Sequence, residues 1–176
     1  MKFEPLHSEK LFSGRAFSIR RDTVRLPDGR QTRLDIVEHI GSVILIPVEA
    51  DGNLLFVRQY RHAAGLELLE LPAGTLEVGE APEACARREV REETGMAAGK
   101  LEYLGSFYLA PGYSTENMHV YLATELRPDP LEADADEFLS LERLSPARAL
   151  ELADSGGIPD AKTLAALLLA RSHLKT

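Results

Sequence analysis

Hydrophobic and polar residues alternate over much of the chain, which is typical of β-strands with one buried face. Residues 15–38 contain two alternating segments on either side of the sequence PDGR, whose proline and glycine favour a turn, so we predict a β-hairpin there. Residues 41–50 are apolar enough to form a strand that is buried on both faces. Further strands are predicted in the segments LLFVRQYR, LELLELPAG, KLEYLGSFYLA, NMHVYLATEL and FLSLERL.

Three stretches favour helices. The first lies between Pro82, a residue common in the first helical turn, and Gly95, a residue common just beyond the last turn. The second begins at Pro146 and ends near the glycines at 156–157, and the third starts near Asp160. The third helix carries the apolar residues Leu164, Leu167, Leu168 and Leu174. A majority of strands with one central and two terminal helices predicts an α+β sandwich.

Composition and charge narrow the class of protein. The 176 residues are 44% hydrophobic and 27% charged, which fits a single domain with a substantial core. The net charge of -8 argues against a general affinity for nucleic acid or anionic membranes, so we expect neither as a partner. An anionic substrate would therefore need a local positive site or bound cations.

The cysteine content and the apolar segments bear on location. Cys85 is the only cysteine, which excludes an intramolecular disulfide and fits a reducing compartment. The segment MKFEPLHSEK lacks the apolar core of a signal peptide, and the apolar run ALLLA is too short to cross a bilayer. We therefore expect a cytoplasmic protein.

Carboxylates cluster on the first predicted helix. At about 100° per residue, Glu89, Glu92 and Glu93 lie within an arc of roughly 100°. Like charges on one helix face repel, and a bound divalent cation would reverse that effect. Oxygen ligands with no histidine nearby favour Mg²⁺ or Mn²⁺ over zinc. The alternative is a solvated helix face, and the helix alone leaves both interpretations open.

The spacing of residues 74–96 distinguishes the two interpretations. Five residues separate Gly74 from Glu80, and seven more separate Glu80 from Arg88. The segment resembles the Nudix box, the signature of the Nudix hydrolase family, at every specified position: Gly74, Glu80, Arg88, Glu89, Val90, Glu92, Glu93, Gly95 and Met96. The resemblance favours a metal site.

This resemblance implies a Nudix αβα sandwich with a mixed sheet, and hydrolysis of a nucleoside diphosphate linked to another moiety with Mg²⁺ or Mn²⁺ bound. The implied metal ligands are Glu89, Glu93 and the backbone carbonyl of Ala73, with Glu92 assisting in catalysis. The structural residues of the box would be Gly74, Glu80, Arg88 and Gly95.

The segment LEADADEFLSLERL resembles the mobile acidic loop that carries the general base in the ADP-ribose pyrophosphatase branch of the family. Glu137 is its best match to the catalytic glutamate, and Asp134 and Asp136 are weaker candidates. Two alternatives stay open: the segment is only an exposed loop, and the base is Glu92.

Further marks of the same branch are Pro111, fifteen positions after the box, and the segments VRQYR and LELPAG. The resemblance implies that Arg61 contacts the diphosphate and that Glu70 accepts a hydrogen bond from the adenine amino group. It further implies Ser114 in the ribose pocket, Phe17 stacked on adenine and Arg33 at a phosphate. Phe17 as a core residue, Arg33 as a surface residue and the turn around Ser114 without any function are the alternatives.

The implied organisation is an N-terminal β-hairpin subdomain, 1–40, forming a small antiparallel sheet for dimerisation, and a Nudix hydrolase domain, 41–176. We expect a homodimer that converts ADP-ribose to AMP and ribose 5-phosphate. One alternative is a pyrophosphatase for another nucleoside diphosphate sugar such as GDP-mannose. Another is a non-catalytic nucleotide-sensing domain, against which the intact box argues.

Overall fold

The computed structural model describes residues 2–132 and 138–174. Its strands are β1 (Glu4–Ser13), β2 (Ser18–Arg25), β3 (Gln31–Glu38), β4 (Ser42–Pro47), β5 (Leu54–Arg61), β6 (Leu66–Glu70), β7 (Ala73–Thr75), β8 (Met96–Tyr108), β9 (Asn117–Pro128) and β10 (Leu139–Leu144). Its helices are α1 (Pro82–Thr94), α2 (Pro146–Asp154) and α3 (Ala161–Ala170), followed by a short 3₁₀ turn (Arg171–His173). No helix among these residues has the length and apolar character needed to cross a bilayer.

The strands form three sheets. The N-terminal sheet has the order β1-β2-β3, and a second antiparallel sheet has the order β10-β5-β6. The third sheet has the order β7-β4-β9-β8 and is mixed, because β4 runs parallel to β9 while the other pairs are antiparallel.

The buried strand β4 explains the layered architecture. All six of its residues are buried, and successive side chains point to opposite faces of the sheet. Val43 and Leu45 pack in one cluster with Val90 of α1. Ile44 and Ile46 pack in the other cluster, which contains apolar residues of α2 and α3. The mixed sheet therefore lies between α1 and the two C-terminal helices, and the predicted α+β sandwich with a mixed sheet is confirmed.

The N-terminal sheet contains the predicted hairpin and one strand more. β2 and β3 are joined at the predicted turn, where Gly29 has a φ of 87° that favours glycine. Strand β1 was not predicted. All ten of its residues are exposed, so it has no buried face to impose alternation on the sequence.

Several element boundaries differ from the prediction, most clearly in three places. Strand β8 begins at Met96 rather than Lys100. The segment LELLELPAG divides at Pro72: β6 pairs with β5, whereas β7 pairs with β4 in the mixed sheet. Proline has no N–H to donate to a continuing ladder, and the Pro72 carbonyl accepts a hydrogen bond from Leu45 N–H at 2.9 Å. Leu174 lies beyond α3, although its side chain is buried.

Candidate active site

Helix α1 has the ends that the sequence predicts. Pro82 occupies its first turn, and Gly95 ends it in the left-handed conformation, with a φ of 71° and its N–H donating to the Arg91 carbonyl at 3.0 Å. The apolar face of α1 packs on the mixed sheet. Glu89 and Glu93 flank that face, and they are only 7% and 6% exposed. Two glutamates on one helix face are thus held out of bulk water.

The turn from β7 towards α1 brings the backbone against these carboxylates. Ala73 N–H donates a hydrogen bond to Glu93 Oε2 at 3.0 Å. A Cβ atom added to Gly74 would lie 1.8 Å from Glu89 Cδ, so only glycine leaves room for that carboxylate. Ala73, Gly74, Glu89 and Glu93 therefore converge at one point of the fold.

Arg88 connects the remaining glutamates of the box. Its Nη1 donates to Glu89 Oε1 at 2.7 Å and to Glu92 Oε2 at 2.8 Å, while its Nε and Nη2 donate to the two oxygens of Glu80 at 3.1 and 3.0 Å. Glu80 Oε2 also accepts from Glu77 N–H at 2.9 Å, which ties the loop before α1 to the helix. The hydrogen bonds from Arg88 lower the pKa of Glu80, and the hydrogen bond to Glu80 is the main cause that raises the pKa of Arg88.

The donor atoms at this point suit a hard divalent cation. The glutamate carboxylates and the neighbouring backbone offer oxygen, which Mg²⁺ and Mn²⁺ prefer. Burial raises the pKa of the Cys85 thiol, so this group stays neutral and is a poor metal ligand. Within residues 2–132 and 138–174, no three His, Cys, Asp or Glu side chains already converge as a ligand set. Arg88 bonds both Glu89 and Glu92, so a cation bound between these two carboxylates would displace its Nη1.

A cleft of about 440 Å³ opens beside the box glutamates. Its walls come from the β1–β2 loop, β5, β7, the loop after β7 and α1. The lining residues are Arg15, Ala16, Arg61, Ala73, Gly74, Thr75, Glu77, Arg88, Glu89 and Glu92. Carboxylates and arginines thus share one cavity, which suits an anionic ligand together with a cation.

Arg61 and Glu70 contact each other at the edge of the cleft. Arg61 Nε and Nη2 donate to Glu70 Oε1 and Oε2 at 2.9 and 2.6 Å, and Lys162 Nζ donates to Glu70 Oε2. Glu70 is 1% exposed. Burial alone would raise the pKa of Glu70, but the hydrogen bond from Arg61 and the charge of Lys162 outweigh it and lower the pKa. Both oxygens that the sequence assigned to adenine recognition are therefore engaged by protein cations, and the adenine contact stays a prediction.

The other predicted substrate contacts lie at different distances from the cleft. Phe17 lies next to cleft-lining Ala16, with its ring centroid 6.3 Å from that of Phe12. Arg33 is exposed on β3, and the Ser114 hydroxyl accepts a hydrogen bond from Glu116 N–H at 3.1 Å. Neither Arg33 nor Ser114 is among the described residues that line the cleft. Their roles stay predictions, and the general-base candidates Asp134, Asp136 and Glu137 lie outside the described residues.

Sequence reasoning missed two cations. Arg15 lines the cleft from the β1–β2 loop, and Lys162 reaches Glu70 from the first turn of α3. A signal for Lys162 was available, because a cation in the first turn of a helix is disfavoured by the helix dipole and suggests a carboxylate partner. No comparable sequence signal marks Arg15, because it lies in the loop after β1, a strand that the sequence pattern did not predict.

Comparison with known proteins supplies relatives over most of the chain. A model of the NUDIX domain matches residues 38–167. The ADP-ribose pyrophosphatase of Bacillus subtilis is 39% identical over 161 residues, which cover 90% of this chain and 87% of that protein. The ADP-ribose pyrophosphatase of Mycobacterium tuberculosis is 45% identical over 139 residues, covering 76% and 67%. The crystal structure of an ADP compounds hydrolase superposes with a TM-score of 0.87 at 26% identity, over 99% of this chain and 95% of that one.

Proposed function

This chain belongs to the Nudix hydrolase family, and we propose that it hydrolyses ADP-ribose to AMP and ribose 5-phosphate. The observation that carries the proposal is a cleft lined both by the buried Glu89 and by Arg61. A diphosphate fits this arrangement, because its charge needs cations on both sides during cleavage. Two relatives that carry the name ADP-ribose pyrophosphatase support this substrate.

Nudix hydrolases generally require a divalent metal. We propose Mg²⁺, or Mn²⁺ in its place, held by Glu89, Glu93 and the carbonyl oxygen of Ala73. When bound, the ion would neutralise charge on the diphosphate and lower the pKa of the attacking water. Arg88 orients Glu89 and Glu92 through its hydrogen bonds, and Gly74 leaves the room in which Glu89 fits. Arg61 would bind phosphate oxygens from its side of the cleft.

We propose Glu137 as the general base that takes a proton from the attacking water. Glu137→Gln is then expected to lower kcat by roughly 100-fold or more while changing KM much less. Steady-state kinetics with ADP-ribose measures both constants, and Asp134→Asn and Asp136→Asn test the two weaker candidates in the same acidic segment. An unchanged kcat in all three variants would transfer the role to Glu92, which lines the cleft.

We further propose that residues 1–40 are a dimerisation element of a cytoplasmic enzyme. The N-terminal sheet exposes large apolar side chains, among them Leu6, Leu11 and Phe12. Exposed apolar side chains grouped on one element favour contact with another protein surface, here a second copy of the chain. Light scattering of the purified protein should give the mass of two chains. A fully active monomer would contradict this proposal.

Incubation of the purified protein with Mg²⁺ and a panel of substrates tests the function. The panel contains ADP-ribose, GDP-mannose, a dinucleoside polyphosphate and NADH, and the products are quantified by chromatography. We expect AMP and ribose 5-phosphate, with the highest kcat/KM for ADP-ribose. Preference for GDP-mannose would keep the chemistry and reject the substrate. Tight ADP-ribose binding without turnover of any compound would favour the nucleotide-sensing alternative.

A further inference from the structure

A chain of four charged groups runs from α3 to the cleft. Asp160 Oδ1 lies 2.9 Å from Lys162 Nζ, Lys162 donates to Glu70, and Glu70 accepts from Arg61. The Asp160 and Lys162 side chains are each 13% exposed, whereas Arg61 lies at the cleft. The buried carboxylate of Glu70 and the half-buried carboxylate of Asp160 thus alternate with two cations, and of these four residues only Arg61 lines the cavity described above.

The contacts of Arg61 fix the direction of its guanidinium group. Glu70 binds Nε and Nη2 in a bidentate manner, which holds the plane of the guanidinium. Nη1 donates no hydrogen bond to any described residue, although the nearby charge of Glu93 also acts on Arg61. One edge of the guanidinium is therefore held by the protein, and the other edge is left for a ligand in the cleft.

Lys162 is the second cation that binds the Glu70 carboxylate, besides Arg61. Lys162 binds Glu70 and fixes the carboxylate that orients Arg61. Asp160 balances the charge of Lys162, so the four groups together carry no net charge and Lys162 acts through position. Burial strengthens this effect, because water does not screen a carboxylate that is 1% exposed.

The start of α3 is locked to the strand that carries Glu70. The carboxylate of Asp160 caps α3 by accepting from Thr163 N–H at 3.0 Å and from the Thr163 hydroxyl at 2.6 Å. The same hydroxyl oxygen accepts from Leu71 N–H at 2.9 Å. Lys162 and Glu70 therefore keep a fixed separation in the fold, although they are 92 positions apart in the chain.

We propose that Glu70 and Lys162 are positioning residues that orient Arg61 toward a phosphate of the substrate, and that Glu70 does not read the adenine base. This inference rests on the proposed function for its substrate. It replaces the adenine contact that the sequence assigned to Glu70, because Glu70 is 1% exposed and both carboxylate oxygens already accept hydrogen bonds from protein cations.

A comparison of two substrates separates positioning from base recognition. ADP-ribose and inosine diphosphate ribose share the diphosphate, but the latter has a carbonyl oxygen where adenine has its amino group. For Glu70→Gln and for Lys162→Met we expect kcat/KM to fall by roughly 10-fold, and by the same factor for both substrates. A loss confined to ADP-ribose would overturn the proposal and restore the adenine contact.

Double variants test whether the residues act through one another. If Lys162 acts through Glu70, Lys162→Met should cost less than about 2-fold in the Glu70→Gln background. Likewise, Glu70→Gln should cost little once Arg61→Ala has removed the group that it orients. Losses that multiply in either double variant would contradict the relay. Arg58→Met is the matched control. Arg58 lies on the same strand as Arg61, and it pairs with Glu142 of β10 rather than with Glu70.

Binding of α,β-methylene ADP-ribose, which cannot be hydrolysed, gives a readout independent of turnover. Calorimetry at a temperature where every variant is folded should show a Kd about 10-fold higher for Lys162→Met and unchanged for Arg58→Met. An unchanged Kd in Lys162→Met would overturn the proposal. Wild-type protein that binds the analogue but does not hydrolyse ADP-ribose would contradict the proposed function and leave the positioning test intact.

Discussion

The N-terminal sheet and the box helix α1 are both rich in arginine–carboxylate pairs, but the pairs differ in burial. In the sheet, Arg21 and Asp35 lie 2.7 Å apart with side chains that are 35% and 54% exposed. In the box, the side chains of Arg88 and Glu89 are 25% and 9% exposed at the same distance. Exposed pairs stabilise a fold little, and buried charges cost desolvation that their attraction barely offsets. Stability alone therefore does not account for the buried box carboxylates, whereas the proposed cation would.

Glu93→Gln should have the largest effect, because it removes the negative charge of a proposed metal ligand while preserving side-chain volume. Turnover of ADP-ribose should fall by at least about 1,000-fold. The fold should persist, since the amide oxygen can still accept the hydrogen bond from Ala73 N–H. Steady-state kinetics and thermal unfolding measure the two expectations. Wild-type kcat in Glu93→Gln would remove this residue from the metal site.

Arg88→Met should have the next largest effect, because it leaves Glu80, Glu89 and Glu92 without their shared cation. We expect the free energy of unfolding to fall by about 1–3 kcal/mol, less than for a fully buried pair, since Arg88 keeps some exposure. Saturating Mg²⁺ should restore part of this loss, because it binds the native carboxylates. Urea unfolding with and without Mg²⁺ gives both values. A loss that Mg²⁺ does not change would mean that the carboxylates serve the fold alone.

The pH dependence of stability should differ between wild-type protein and Glu80→Gln. The hydrogen bonds from Arg88 lower the pKa of folded Glu80 below its ordinary value of 4.5. Its contribution is therefore complete above that value and is lost as the pH falls through the folded pKa. Urea unfolding from about pH 7 to about pH 3 should show the two proteins converging in acid. A constant difference across this range would contradict the Arg88–Glu80 pairing.

Arg21→Met should have the smallest effect. Its partner Asp35 is solvated in either state, so the urea midpoint and kcat should both stay within experimental error of the wild type. The same measurements as for Arg88→Met apply, again with and without Mg²⁺. A loss of stability similar to that of Arg88→Met would abolish the distinction between the two regions.

Local sequence signals predicted the parts of the fold whose causes are local. Pro82 and Gly95 mark the ends of α1, and the apolar run of β4 indicates a strand buried on both faces. Strand β1 gave no signal because it has no buried face. The segment LELLELPAG was predicted as one strand, because nothing local shows that its two parts pair in different sheets.

In the candidate site, too, features with local causes were predictable and features that depend on tertiary packing were not. Glu89 and Glu93 lie one helical turn apart, so their shared face follows from spacing alone. The contact between Lys162 and Glu70 depends on how α3 packs on the sheet, which no spacing within either segment encodes. The occupancy of Glu70 by two protein cations was unpredictable for that reason. A role taken over from a resemblance therefore needs the tertiary contacts before it can be assigned.

A Mn²⁺ titration followed by electron paramagnetic resonance tests the central claim that the buried box carboxylates are a metal site. Free Mn²⁺ gives a strong signal that decreases when the ion binds, so the method needs no substrate. We expect the wild-type protein to bind Mn²⁺, Glu93→Gln to bind it at least about 10-fold more weakly, and Arg21→Met to bind it as the wild type does. Equal Mn²⁺ affinity in the wild type and Glu93→Gln would contradict the claim.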